Sequence, residues 1–292
     1  MLALRILSIV FPVFAIIGIG YLYGRVKRPD IGVTNRISMD VLVPALVFAA
    51  LASRDFDFAH YRQLALGGVL VILGSGLLAW PVARMLKVQA KTFVPPMMFN
   101  NSGNMGIPLI VLAFGDAALP AAIILFLVEM VLHFSMGPYM LAHRMNLLQL
   151  LKTPVMAATL LGVAVSLSHT VLPDALYTAI RMLGDASIPM LLFALGVRLN
   201  QVSFRDWHIG AWSGVVAPAT GIVMVLLVTP FLGLDPAQQS ILLVFGALPP
   251  AVLNYLMAEQ YRQEPEKVAS IVLLGNLSAL LVMPVVLAFA LD

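Results

Sequence analysis

No cysteine occurs among the 292 residues, which excludes disulfides and thiolate metal sites and removes any redox clue to the compartment. Charge is scarce as well: Asp, Glu, Lys and Arg make up 11% of the chain, against 61% hydrophobic residues. A soluble protein of this size must cover its surface with polar and charged groups, and too few are present here to do so. The mean hydropathy is +0.98. The net charge of +3 sits in basic residues between apolar runs, so it reads as membrane topology and not as a nucleic-acid footprint.

What remains is apolar sequence in membrane-length pieces. A bilayer core about 30 Å thick needs roughly 20 apolar residues in helical form to cross it. Runs of that kind fall at 6–24, 33–52, 63–83, 93–114, 117–141, 153–172, 174–197, 208–232, 236–258 and 268–290, separated by charge, Pro or Asp-Pro. They predict an all-α integral membrane protein of ten transmembrane helices and leave no stretch for a separate soluble domain. The first run, Ile6 to Tyr23, is not read as a signal peptide, because Gly24-Arg25-Val26-Lys27-Arg28 follows it as a membrane-exit flank.

Loops after the odd-numbered runs hold twelve basic residues (Arg25, Lys27, Arg28, Arg84, Lys87, Lys91, Arg144, Lys152, Arg198, Arg205, Arg262 and Lys267), and the other side holds three (Arg5, Arg54 and Arg62). The positive-inside rule then places both termini outward, with the chain multi-pass in the cell (inner) membrane.

An internal repeat is also present. Arg36, Asp40, Pro44, Leu46, Phe48 and Ala49 in the second run match Arg181, Asp185, Pro189, Leu191, Phe193 and Ala194 in the seventh, always 145 residues apart. Two five-helix halves follow, 1–145 and 146–292. Five crossings per half make the second half inverted, an architecture of alternating-access transporters.

The fourth run carries Asn100-Asn101-Ser102-Gly103-Asn104-Met105-Gly106-Ile107-Pro108 near its middle, and the ninth carries Pro249-Pro250-Ala251-Val252-Leu253-Asn254. Asn and Gly tolerate left-handed backbone, and Pro removes a donor, so both helices are expected to break there. The alternative for the fourth run is a Pro kink with polar residues bonding neighbouring helices. Paired interruptions at matching places in two halves point to a transporter's binding site. Half-helix N-termini suit an anion, and the amides of Asn100, Asn101, Asn104 and Asn254 can donate to it or accept from a neutral group. Asn104 and Asn254 are the leading ligands, with Gly103, Gly106, Pro108, Pro249 and Pro250 shaping the site. Cation binding by the opposed carbonyl ends is the competing reading.

Glu129 and His133 lie one turn apart in the fifth run. An acid at that depth marks a proton or ion role, or else the two satisfy each other. Arg36–Asp40 and Arg181–Asp185 have ion-pair spacing; they either neutralise themselves or line the access paths. Glu259, Glu264 and Glu266 read as solvated loop. Enzyme signatures are missing: Glu129-x3-His133 lacks the second His of a zinc helix, and neither Ser75 nor Ser102 sits in a nucleophile elbow. No cofactor is expected.

These motifs resemble the auxin efflux carrier family, bacterial relatives of the plant PIN-formed auxin exporters. The resemblance covers the whole chain. It implies a fold similar to bile acid:sodium symporters, with crossed broken helices 4 and 9, a scaffold domain of helices 1, 2, 6 and 7, and a transport domain of helices 3–5 and 8–10. It implies further a small carboxylate such as malate, malonate or indole-3-acetate as solute, and a homodimer assembled through the scaffolds. The acidic residue that helps bind sodium in the ninth-helix crossover of sodium-coupled relatives has no counterpart in 246–254. Proton coupling, or uncoupled uniport, is therefore expected in preference to sodium. A cation/proton antiporter of the same architecture is the alternative.

Overall fold

The computed structural model describes residues 2–53, 56–143, 150–201 and 206–291. Arg54, Arg144 and Arg205 of the loop-charge count, and the expected boundary between 145 and 146, lie outside these residues. Among the described residues there are helices and no strand. Seven helices are long and apolar enough to cross a membrane: α1 (Leu2–Lys27), α2 (Ile31–Leu51), α3 (Phe58–Met85), α6 (Asp116–Ala142), α8 (Asp174–Arg198), α9 (Trp207–Leu232) and α12 (Pro265–Ala290). Between α3 and α6 lie two short helices, α4 (Ala90–Met98) and α5 (Ser102–Phe114). Between α9 and α12 lie another two, α10 (Pro236–Gly246) and α11 (Val252–Gln260). The expected sixth run, 153–172, is helical only over α7 (Pro154–Leu167). It ends where His169 takes positive φ.

Helix starts follow capping chemistry. The side chains of Asp30, Asp57, Thr153 and Asp235 accept from opening N–H groups of α2, α3, α7 and α10, satisfying donors that have no partner inside the helix. Two π turns, Ser38–Leu42 in α2 and Ser102–Gly106 opening α5, each come two residues before a proline, Pro44 and Pro108. A proline ring clashes with the carbonyl four residues back and donates nothing, and a widened turn relieves both problems.

The π turn corrects one expectation: Arg36 and Asp40 form no ion pair among the described residues. Asp40 sits inside the π turn, where backbone bonds run i→i+5 and widen the turn, so the regular i,i+4 spacing to Arg36 is lost. The matching segment of α8 stays regular through Pro189, and Arg181 does reach Asp185, at 3.7 Å. Arg181 also donates to Asp116 at 3.1 Å, tying α8 to the start of α6. Glu264 is corrected too. It is part-buried at the N-cap position of α12, its carboxylate accepting from the Thr92 and Lys267 side chains. Burial pushes its carboxyl up, but those hydrogen bonds and the Lys267 charge outweigh burial and hold it below the usual carboxylate range.

Helix packing sorts into two sets. Helix α1 packs chiefly on α8, and α2 on α7 and α8; α3 and α12 pack on α9, with α4 and α6 against α3. The α1–α8 crossing depends on missing side chains. A Cβ at Gly196 would lie 2.0 Å from the Ile17 carbonyl oxygen, and one at Gly20 would lie 2.2 Å from that of Phe193. Close backbone approach of this kind holds helices together where lipid gives no hydrophobic drive.

Gly196→Ala should therefore destabilise the detergent-solubilised protein by about 1–3 kcal/mol, whereas Gly18→Ala, with nothing within 4 Å, should not. Equal melting temperatures for the two variants would refute this packing account.

Candidate functional site

The chain leaves helical geometry at Phe99–Asn101, between α4 and α5, and again at Ala247–Ala251, between α10 and α11. The two gaps lie against each other. Asn100 and Pro250 form an antiparallel bridge, in which the Asn101 N–H donates to the Pro249 carbonyl at 2.7 Å and the Ala251 N–H to the Phe99 carbonyl at 3.0 Å. Pro249 and Pro250 have no N–H to satisfy, so their contribution is to leave fewer orphan donors in the unwound stretch.

Side-chain amides complete the bonding. Asn100 Nδ2 donates to the Phe245 carbonyl at 2.8 Å, and Asn254 Nδ2 to the Phe99 and Ala251 carbonyls at 2.9 and 3.0 Å. Main-chain carbonyls only accept, so these contacts settle which amide atom is nitrogen. The remaining atoms, Asn100 Oδ1 and Asn254 Oδ1, are buried without a partner. Asn101 Nδ2 donates to Asn276 Oδ1 at 3.0 Å, and Asn276 Nδ2 in turn donates to the Pro250 carbonyl at 2.9 Å. Asn276, on α12, thus clasps both gaps.

A cavity of 220 Å³ opens beside the crossing. Of the residues expected in the site, Asn100, Asn101, Gly103 and Asn104 line it, as do Glu129 and His133. Gly106, Pro108, Pro249, Pro250 and Asn254 are not part of its lining, although Ala251, Val252 and Leu253 are. Gly106 instead makes room for Leu248, whose Cδ1 would lie 2.7 Å from an added Cβ. Arg36, Asp40, Arg181 and Asp185 are all away from the cavity lining; α2 contributes Met39 and Val43 in their place. Both α5 and α11 begin at the crossing, so their opening N–H groups, unpaired within the helices, face one region. Asn104 makes no side-chain hydrogen bond to another described residue, and its amide keeps both donor and acceptor capacity.

Glu129 is buried, and a lone carboxylate there would be costly. Its Oε1 lies 2.8 Å from His133 Nδ1, and its Oε2 accepts from Ser102 Oγ at 3.3 Å. The His133 ring stacks on Phe99, with centroids 4.2 Å apart and planes 7° apart. Through Ser102 and Phe99 this pair touches both ends of the gap between α4 and α5.

Three residues escaped the sequence reading. Asn276 was legible as a lone amide deep in an apolar run. Phe99 carried no signal beyond its place beside the asparagines. Arg198 counts as a loop charge in the sequence, but it closes α8 and lines the cavity.

Comparison with known proteins places these features in context. The profile of the family described as "Membrane transport protein" matches residues 137–287. A Rhizobium meliloti protein named "Putative malonate transporter" is 28% identical, with the match covering 94% of this chain and 92% of that one. An "Uncharacterized transporter" of Methanocaldococcus jannaschii is 20% identical, over 94% of this chain and 96% of its own.

Replacing Asn276 by Ala strands the Pro250 carbonyl and the Asn101 amide, at about 1–3 kcal/mol for each group. Thermal unfolding in detergent should show that loss, while Leu277→Ala on the exposed face of the same helix should fall well short of it. A melting point for Asn276→Ala at or above that of Leu277→Ala would refute the clasp.

Proposed function

The chain belongs to the membrane transport protein family, matching the auxin efflux carrier resemblance of its sequence, and from that premise we propose that it carries a small organic carboxylate across the cytoplasmic membrane by elevator-type alternating access. The observation that carries this reading is the crossing at Asn100 and Pro250, where two half-helix N-termini and the unbonded Asn104 amide meet beside a cavity. Partial positive charge at helix N-termini binds carboxylates without the desolvation cost of a fixed cation, so a solute can leave again. The cavity falls below the roughly 300–1,000 Å³ usual for drug-sized ligands, which favours a short acid. The name of the Rhizobium relative points toward malonate as the first solute to try.

In this reading Asn104 is the direct amide ligand. Asn254 acts by holding the crossing together, since its donor is spent on Phe99 and Ala251. The architecture is ten crossings in two inverted five-helix halves, with both termini outward. The set containing α1, α2, α7 and α8 is the scaffold, through which two copies pair, and α3–α6 with α9–α12 form the moving body. The closer packing within each set than between them supports this division. The coupling ion is a proton held by Glu129 and His133. Ser102 opens the half-helix facing the solute and bonds Glu129, so protonation there alters a contact at the site itself.

One observation favours the cation/proton antiporter instead: the orphaned oxygens of Asn100 and Asn254 accept only from a cation or a proton donor.

Protein reconstituted in vesicles should take up malonate, malate or succinate saturably and without sodium, and Asn104→Ala should lower that uptake tenfold or more. Silence across these acids and indole-3-acetate, with a response to sodium or pH jumps alone, would transfer the assignment to the antiporter. Glu129→Gln should retain solute binding but lose the dependence of uptake on a pH gradient; an undiminished dependence would remove Glu129 from coupling.

A further inference from the structure

Arg198 stands where the crossing cavity meets a second one. Together with Val252 and Leu256 it lines both the 220 Å³ cavity and a neighbouring cavity of 230 Å³, which reaches Pro29, Asp30 and Asn35 at the start of α2. Among the described residues it is the one Lys or Arg lining either cavity. No ion pair or side-chain hydrogen bond engages it among the described residues, although Asp30 and Glu129 line the same two spaces. Glu129 is taken by His133 and Ser102, and Asp30 caps α2 through the Gly32 N–H. A part-buried guanidinium is costly without a counter-anion. Its place in the last turn of α8 gives it some compensation from the helix dipole, but it leaves five N–H donors in a planar fork matched to a carboxylate.

The cavity therefore offers two separate cationic features, the half-helix N-termini at the crossing and the Arg198 guanidinium, with apolar Ile107, Val252 and Leu253 among the lining. A dicarboxylate has the same pattern: two anionic ends and a methylene spacer. We propose that Arg198 binds the solute's second carboxylate and so makes the site selective for short dicarboxylates over monocarboxylates. The proposal rests on carboxylate transport as inferred above. The position at the junction of the two cavities also makes Arg198 the cationic side chain, among the described residues, that an anion entering past Asp30 at the start of α2 would meet.

The experiment compares malonate with its monomethyl half-ester, which keeps one carboxylate and nearly the same length, on reconstituted wild type, Arg198→Gln and Arg198→Lys. Wild type should prefer malonate to the half-ester. Arg198→Gln should raise KM for malonate tenfold or more and leave KM for the half-ester within twofold; that residual transport also shows the variant to be folded. Arg198→Lys, which keeps the charge without the fork, should fall between wild type and Arg198→Gln in malonate affinity. An unchanged malonate KM in Arg198→Gln overturns the proposal. So does an equal rise for both solutes, which would mark a role in folding or gating, and so does a wild type that prefers the half-ester. A wild type that moves neither solute fails before any substitution is made, and in that case the carboxylate reading itself falls, taking the proposal with it.

Discussion

Within hydrocarbon, every main-chain N–H and C=O needs a protein partner, because an unsatisfied group costs several kcal/mol and no water is present to help. A helix broken at that depth is tolerable only if something else bonds its loose ends. Here each break is the partner of the other. Asn101 and Ala251 donate backbone hydrogen bonds to Pro249 and Phe99 across the crossing, and Asn100 and Asn254 add their amide donors to the carbonyls of Phe245 and Phe99. The site exists because two stretches some 150 residues apart in the chain complete one hydrogen-bond network.

That network decides what chemistry is left for a solute. The amide donors of Asn100 and Asn254 are spent on the main chain and their oxygens are buried without a partner, so positive character comes from the ends of α5 and α11 and from Asn104. The same network accounts for the small residues around it. Gly275 lets α12 lie against Pro250, whose Cδ would be 2.6 Å from an added Cβ, and Gly221 lets α9 lie against Gly246, whose carbonyl oxygen would be 1.7 Å away. A crossing held this closely by α9 and α12 would travel as one body with them in an elevator motion, and not be assembled anew at each cycle.

Charge is placed sparingly, and among the described residues most of the charged groups that are not exposed have a partner. Glu129 is shared by His133 and Ser102, Glu264 is bonded by Thr92 and Lys267 at the start of α12, and Arg181 is exposed between Asp116 and Asp185. Exposed pairs such as the last contribute at most about 1 kcal/mol, and so orient helices more than they stabilise them. Arg198, part-buried beside the crossing cavity, has no partner among the described residues, which is the observation that the proposal of a doubly charged solute rests on.

The all-helical membrane class, most of the helical runs and the sites of the two breaks were legible in the sequence, while the sixth run proved shorter than expected. Those follow from local physics: apolar length against bilayer thickness, and the inability of Asn, Gly and Pro clusters to continue a helix. The sequence also placed Glu129 beside His133, because i,i+4 spacing puts them on one helical face. The same spacing misled at Arg36 and Asp40, where a π turn ahead of Pro44 took them out of register, although Arg181 and Asp185 with an equivalent proline stayed in register. Tertiary structure alone decided where each amide spends its donors, that Asn276 closes the crossing, and that Arg198 lines the cavity instead of a loop. Each of these depends on contacts between elements far apart in the chain, and neither periodicity nor composition carries information about such contacts.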